Sequence, residues 1–593
     1  MKLLRPSRDV ASRVLPYVRV PRTVAAAVAS ASLLLASCAP APSRTAPPAP
    51  AVALGANQSA GGMVVSASAI ASQAGADVLA AGGNAVDAAI ATGLALAVTY
   101  PTAGNIGGGG FMVIRFPDGR ATTIDFREKA PAAARPDMFV DSTGAYSSRI
   151  HHNTHVSVGV PGTVAGFAMA HRRYGAREWR TLVEPAVRLA SDGFDVPAGL
   201  AASLRGAQNR LARYPASKAA YYKPDGSPYA AGERMVLADL GRTLARIRDQ
   251  GRDGFYRGET ATLIEQEMRA NGGLITAADL AAYEAAERAP VRGNYRGYEI
   301  ISMPPPSSGG IAMVTMLNIL EGFDVAAGPH NGARHVHLLA ESMRRAFRDR
   351  AQYVGDPDFV SVPVERLTSK AHATELRATL DTTRATKSRV TDLVADWESD
   401  ETTHYSVVDK DGMAVSVTYT LEAGYGLGAV VAGAGFLLNN EMGDFNGKPG
   451  LTDTTGLIGT AANVARPGKR MLSSMTPAIV AKDGALVAVV GSPGGRTIIN
   501  TVLQVIVNLI DFRLPVQQAV DAARIHHQWL PDRLSVEADG ITPATQAQLE
   551  AMGHVVRVGG RQGTAHSIGV DPVTKLRTGA PDARDPDAGA AGR

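Results

Sequence analysis

Thr402-Thr403-His404-Tyr405-Ser406-Val407-Val408 and Met413-Ala414-Val415-Ser416-Val417-Thr418-Tyr419-Thr420 flank Asp409-Lys410-Asp411-Gly412, and this stretch decides the fold. Both arms alternate in strand fashion around an Asp-Gly turn, so they form a β-hairpin. Folding about that turn sets Thr402 opposite Tyr419 or Thr420, according to whether Gly412 forms a bulge. Two threonine hydroxyls then meet at the open end. Just upstream, residues 390–401 are polar, acidic and poorly periodic, the pattern of an exposed connector.

Outward from the hairpin, residues 73–99 carry apolar side chains at helical spacing, and Gly82-Gly83-Asn84 divides them into two helices. Gly107-Gly108-Gly109-Gly110 runs directly into Phe111-Met112-Val113-Ile114, a strand. A phosphate-cradling loop should instead open a helix and carry Lys-Ser/Thr, so these glycines point to close backbone packing rather than to a nucleotide. On the other side, a strand at 486–490 enters Gly491-Ser492-Pro493-Gly494-Gly495-Arg496-Thr497 and then an apolar helix. That order aims backbone N–H groups at an anion. The helix contains Asn500, Gln504 and Asn508 and is too short to span a bilayer, so it is a buried core helix. Residues 580–593, rich in Asp, Ala and Gly, are expected to fray.

The Thr402 to Asp409 segment closely resembles the start of the small subunit of γ-glutamyltranspeptidases, members of the N-terminal-nucleophile hydrolase superfamily. Further stretches similar to that family are Asp125-Phe126-Arg127-Glu128, residues 303–310, Asn439-Asn440-Glu441-Met442, Ser473-Ser474-Met475, Ser492-Pro493-Gly494-Gly495 and His526-His527-Gln528-Trp529. The resemblance implies an α+β fold, a four-layer αββα sandwich shared by two fragments of one precursor. It also implies cleavage of the Glu401–Thr402 bond by Thr402 itself. An N-terminal threonine has a physical advantage: its own α-amine, with a pKa of about 7.7 to 8.0, can lift the hydroxyl proton.

Roles carried over by resemblance follow residue by residue. Arg127 grips the α-carboxylate of a γ-glutamyl substrate, because a planar guanidinium holds two carboxylate oxygens at once. Ser473 and Ser474 add hydroxyl donors, Glu441 and Asp444 accept the α-ammonium, Gly494 and Gly495 form the oxyanion hole, and Thr420 fixes the Thr402 hydroxyl. Glu422 stands where many members carry asparagine, at a position expected to touch the substrate's α-amine, and an ungapped count puts Thr455 where several bacterial members carry a pocket-closing tyrosine. Neither cofactor nor metal is called for. The amine supplies the base, and His404, His526 and His527 are taken as structural.

The 60 basic and 55 acidic residues give a net charge of +5 and a pI near 9.2. Six basic residues and one acidic residue fall within the first 37, leaving 54 of each sign beyond them. A nucleic-acid partner is therefore not indicated. Residues 1–37 read as an export signal, and Leu35-Ala36-Ser37-Cys38 resembles a lipoprotein lipobox, with Cys38 the lipidated residue and the only cysteine. The expected organisation is a leader over 1–37, a lipidated tether over 38–55, a large subunit over 56–401 and a small subunit over 402–593. The implied partners are glutathione or other γ-glutamyl amides, amino-acid or peptide acceptors, the partner fragment, and a membrane reached through lipid alone, on the periplasmic side. Two competing functions are a glutaryl- or cephalosporin-type acylase, whose substrates lack an α-ammonium, and an inactive ligand-binding lipoprotein.

Overall fold

The computed structural model describes residues 55, 57–389, 391, 402–455, 457 and 459–593. The leader, Cys38, Glu401 and nearly all of the 390–401 connector lie outside the described residues. Two seven-stranded antiparallel sheets form the centre. One runs in the order Gln58–Ser59, Arg577–Ala580, Ser567–Val570, Ala485–Val490, Ala478–Lys482, Tyr298–Ser302, Val291–Tyr295. The other runs Gly589–Gly592, Met63–Ser66, Thr403–Val408, Ala414–Thr420, Gly109–Arg115, Ala121–Phe126, Ala286–Arg288.

Strand alternation sorts the side chains of the second sheet into two cores. Val64, Met112, Ile114, Tyr405 and Val407 pack under the helices Ala69–Ala80, Ala85–Thr99 and Trp179–Ser191. Met63, Val65, Phe111 and Val113 face the first sheet, whose other partners include the helices Gly309–Leu320, Ala333–Tyr353 and Thr497–Ile510. The layers are thus helix, sheet, sheet, helix, the αββα arrangement expected from the sequence. Helix Ala85–Thr99 begins at a capping box between Asn84 and Asp87 and is buried along its whole length. It can approach the hairpin strand only because residue 93 is glycine: a Cβ there would lie 2.5 Å from the Tyr405 hydroxyl. Helix Thr497–Ile510 is likewise almost wholly buried, a core helix as read from its sequence. Among the described residues, no helix is long and apolar enough to cross a membrane.

The hairpin pairs Thr403 with Tyr419 and Val408 with Ala414. Continued by one residue, this register sets Thr402 beside Thr420, the second of the two expected alignments. The glycine run 107–110 is packed against backbone: a Cβ would lie 2.0 Å from the Thr420 carbonyl at Gly108 and 2.4 Å from the Phe126 carbonyl at Gly109.

The C-terminal tail corrects an expectation. Instead of fraying, Gly589–Gly592 pairs antiparallel with Met63–Ser66 as the edge strand of the second sheet. The Asp587 carboxylate accepts hydrogen bonds from the Gly199 and Leu200 amides at 2.8 and 2.7 Å, at the start of helix Ala198–Leu211. Composition misled here because Gly and Ala have low strand propensity. Small side chains are what the site demands, since a Cβ on residue 589 would lie 2.6 Å from the Ala69 Cβ.

Candidate active site

At the open end of the hairpin, Thr402 and Thr420 line a small buried pocket together with Arg127, Glu422, Glu441, Asp444, Ser473, Ser474, Met475, Gly495 and Ile498. Its free volume is only about 20 Å³. Nine residues singled out from the sequence thus converge, although they come from segments some 370 residues apart along the chain. Gly494 lies one residue behind the pocket wall in the same turn. Gly494 and Gly495 have φ of +125° and +53°, backbone that side-chain-bearing residues rarely adopt. Their carbonyls receive the Thr497 and Ile498 amides at 3.0 and 3.1 Å, closing the turn into helix Thr497–Ile510.

Arg127 is fully buried at the end of strand Ala121–Phe126. One Nη donates to Glu441 and the other to Asp444, while Nε and Nη2 also reach the Met471 and Leu472 carbonyls at 3.3 and 3.1 Å. Burial pulls its pKa down, but Glu441, Asp444 and Glu128 outweigh that and raise it. Both residues read as ammonium acceptors are therefore bound to the residue read as the carboxylate grip. Burial raises the Glu441 carboxyl well above the ordinary range against the pull of Arg127, with Glu128 and Glu422 adding to the rise.

Ser473 and Ser474 are held from the opposite side. The Ser473 carbonyl accepts from the Ser308 amide and hydroxyl at 2.8 and 2.7 Å, and Arg350 donates to the Ser308 and Ser474 hydroxyls at 2.8 and 3.1 Å. The Thr420 hydroxyl accepts the Glu422 amide at 2.8 Å. Glu422 has φ of +76° and its carboxylate lies 2.9 Å from His152 Nδ1. Burial lowers His152 to about 4, so the ring is neutral near pH 7 and Nδ1–H donates to the carboxylate.

Sequence reasoning missed three groups. Glu128 stands next to Arg127, 3.5 Å from its Nη1, with neither carboxylate oxygen hydrogen-bonded to a described residue. Its burial, opposed by Arg127, raises it to about 8. Adjacency in Asp125-Phe126-Arg127-Glu128 was the available signal. His152 and Arg350 carried none, since only the tertiary fold brings them to the pocket.

The histidines taken as structural are held by protein partners. The Ser406 hydroxyl donates to the His566 carbonyl at 2.8 Å, so it accepts from His404 Nε2, and His404 Nδ1 then accepts from the Thr418 hydroxyl at 3.0 Å. His526 lies 2.7 Å from both Asn500 and Gln528, and His527 accepts the Trp529 amide at 3.1 Å. Elsewhere, His337, Glu341 and His554 place ligand atoms within 4.8 Å of one another. Glu341 already carries Arg344, Arg345 and Thr386, and the two rings hydrogen-bond each other at 2.8 Å, which makes this an ion and hydrogen-bond network.

A family model described as Gamma-glutamyltranspeptidase matches residues 71–592. The glutathione hydrolase proenzyme of Escherichia coli (strain K12) is 49% identical over 570 residues, covering 94% of this chain and 97% of that protein. The crystal structure of cephalosporin acylase from Bacillus halodurans superposes with a TM-score of 0.80 at 28% identity, over 92% of this chain and 99% of the other. That of Helicobacter pylori gamma-glutamyltranspeptidase gives 0.53 at 44% identity, over 54% and 91% respectively.

Proposed function

The chain belongs to the γ-glutamyltranspeptidase family, and from that premise we propose that it is a self-cleaving glutathione hydrolase and γ-glutamyltransferase with Thr402 as nucleophile. Thr402 Oγ first attacks the Glu401 carbonyl, the acyl group moves from nitrogen to oxygen, and water releases it. The freed α-amine then takes the Oγ proton as Thr402 attacks a γ-glutamyl amide. The C–N bond breaks, the leaving amine departs with that proton, and water or an acceptor amine resolves the ester. The Gly494 and Gly495 amides face the developing oxyanion, where one such donor is worth about 3 to 4 kcal/mol. Thr420 holds the Thr402 hydroxyl in line.

The observation that carries this reading is the buried set of Arg127 with Glu441 and Asp444 in the pocket of Thr402. An α-amino acid end brings one carboxylate and one ammonium. Each can replace one side of the existing ion pairs, the carboxylate on Arg127 with Ser473 and Ser474 assisting, the ammonium on Glu441 and Asp444. The zwitterion adds no net charge to the buried set. A glutaryl group would supply the anion alone and leave carboxylates unpaired, at a cost of about 3 to 5 kcal/mol. The acylase likeness is one of a related family, in sequence as well as fold, and the charge set favours the amino-acid substrate.

The decisive comparison is turnover of γ-glutamyl against glutaryl p-nitroanilide, with N-terminal sequencing of the active protein. We expect the γ-glutamyl donor to be preferred by at least about 100-fold and the smaller fragment to begin Thr-Thr-His-Tyr-Ser. Preference for the glutaryl donor would overturn the substrate, and activity without that N-terminus would overturn the mechanism. The proposal also places the enzyme outside the cytoplasm on a lipid attached to Cys38, supported by the basic leader and Leu35-Ala36-Ser37-Cys38. An intact-mass shift of a diacylglyceryl group on a fragment starting at residue 38 is the expected result.

A further inference from the structure

Beyond the small pocket lies a groove of about 910 Å³, and its wall starts where the pocket wall stops. Ala423 and Gly424 follow Glu422, and Arg496 and Thr497 follow Gly495. Four arginines line it, Arg210, Arg496, Arg533 and Arg561, and none of the described residues lining it is Asp or Glu. Since residues 38–593 hold equal numbers of each sign, this concentration of cations is a local field rather than a reflection of composition.

Arg533 and Arg561 are exposed. Among the described residues, Arg533 makes no side-chain hydrogen bond or ion pair, and Arg561 donates only to the Arg584 carbonyl at 2.8 Å. Neither charge is matched by a carboxylate of the described residues. His526, on the same wall, is held neutral near pH 7 by burial and offsets nothing.

Position gives the groove its chemistry. With a γ-glutamyl carbonyl between Thr402 and Gly495, the nitrogen of the scissile amide and all that follows it must leave through the open side. An extended residue spans about 3.3 to 3.6 Å, so the carboxylate of an amino acid or dipeptide amine would lie one or two such steps from the scissile nitrogen, on the side where Ala423, Gly424, Arg496 and Thr497 carry the wall into the groove. We infer that Arg533 and Arg561, on this groove, bind the carboxylate of the amine that leaves or accepts the γ-glutamyl group and so set the preference among such amines. The inference rests on the γ-glutamyl transfer proposed above and adds a charge preference on its other half. The covalent step is unaltered, because neither guanidinium touches the acyl carbon.

The test compares two donors on the purified, cleaved enzyme: γ-glutamyl p-nitroanilide and its ring-carboxylated analogue. Wild-type protein should show the lower KM for the carboxylated donor, and that advantage should shrink as salt rises. In Arg533→Gln/Arg561→Gln the KM ratio between donors should fall by about tenfold, and Arg533→Lys/Arg561→Lys should restore most of it. Turnover of both donors with the same KM ratio in wild type and the Gln pair would overturn the groove assignment while leaving γ-glutamyl transfer standing. Turnover of neither donor by wild type would overturn both.

Discussion

The wall of the groove continues from that of the pocket, yet the two handle charge in opposite ways. In the pocket, one arginine is buried among carboxylates within about 20 Å³ of free space. In the groove, four arginines line about 910 Å³, and no described lining residue is Asp or Glu. Buried charges must be matched almost one for one, because an unpaired ion in a low dielectric is costly. Exposed charges act at a distance, weakly and subject to screening. Under the proposed function, the pocket would serve identity, a single zwitterionic end, and the groove preference among amines.

That contrast can be broken, starting with the largest effect. Thr402→Ala removes the attacking oxygen for both reactions, so we expect a single uncut chain on a denaturing gel and no detectable turnover. Arg127→Met leaves Glu441 and Asp444 without their cation and the substrate carboxylate without its grip. Its kcat/KM should fall by about 100- to 1,000-fold, the scale of a broken buried pair, and raising salt should change that ratio little. Salt sensitivity like that of the groove would erase the distinction between the two regions.

Glu128→Gln examines the pocket by stability rather than rate. The folded protein holds the Glu128 proton up to about pH 8, above the ordinary carboxyl value of 4.5, whereas the unfolded chain gives it up earlier. Native stability is thus eroded as pH rises between those values and stays eroded above them. Glutamine carries no such penalty, so the variant should melt several degrees higher at alkaline pH and match wild type in mild acid. The smallest effect is expected from Glu422→Asn. Because Glu422 is turned toward His152, kcat/KM for the γ-glutamyl donor should change by less than about tenfold, and a larger loss would place Glu422 on the substrate ammonium after all.

Much of this was legible in the amino-acid order. The Asp-Gly turn and the alternation around it gave the hairpin, and the glycine turn after Val490 gave the second wall of the pocket. Names of the pocket residues came from short motifs, each too weak alone but ordered along the chain. Three features stayed hidden for a common reason. The pairing of Arg127 with Glu441 and Asp444 joins residues more than 300 positions apart, the seat of Arg350 on Ser474 depends on how a helix lies over the sheet, and the tail strand is written in small residues without periodicity. Local pattern reports what a segment prefers and says nothing of what it meets.

The edge strand Gly589–Gly592 has one more outcome. It binds Met63–Ser66 on one side while Thr403–Val408 binds it on the other, so a ribbon from before residue 402 is clamped between two from after it. Once the chain is severed at Thr402, that clamp joins separate polypeptides, and native-like reassembly from denaturant becomes a second-order process that slows on dilution. The mature pair should endure as long as it stays folded, yet once melted it should be far harder to recover than its uncut parent.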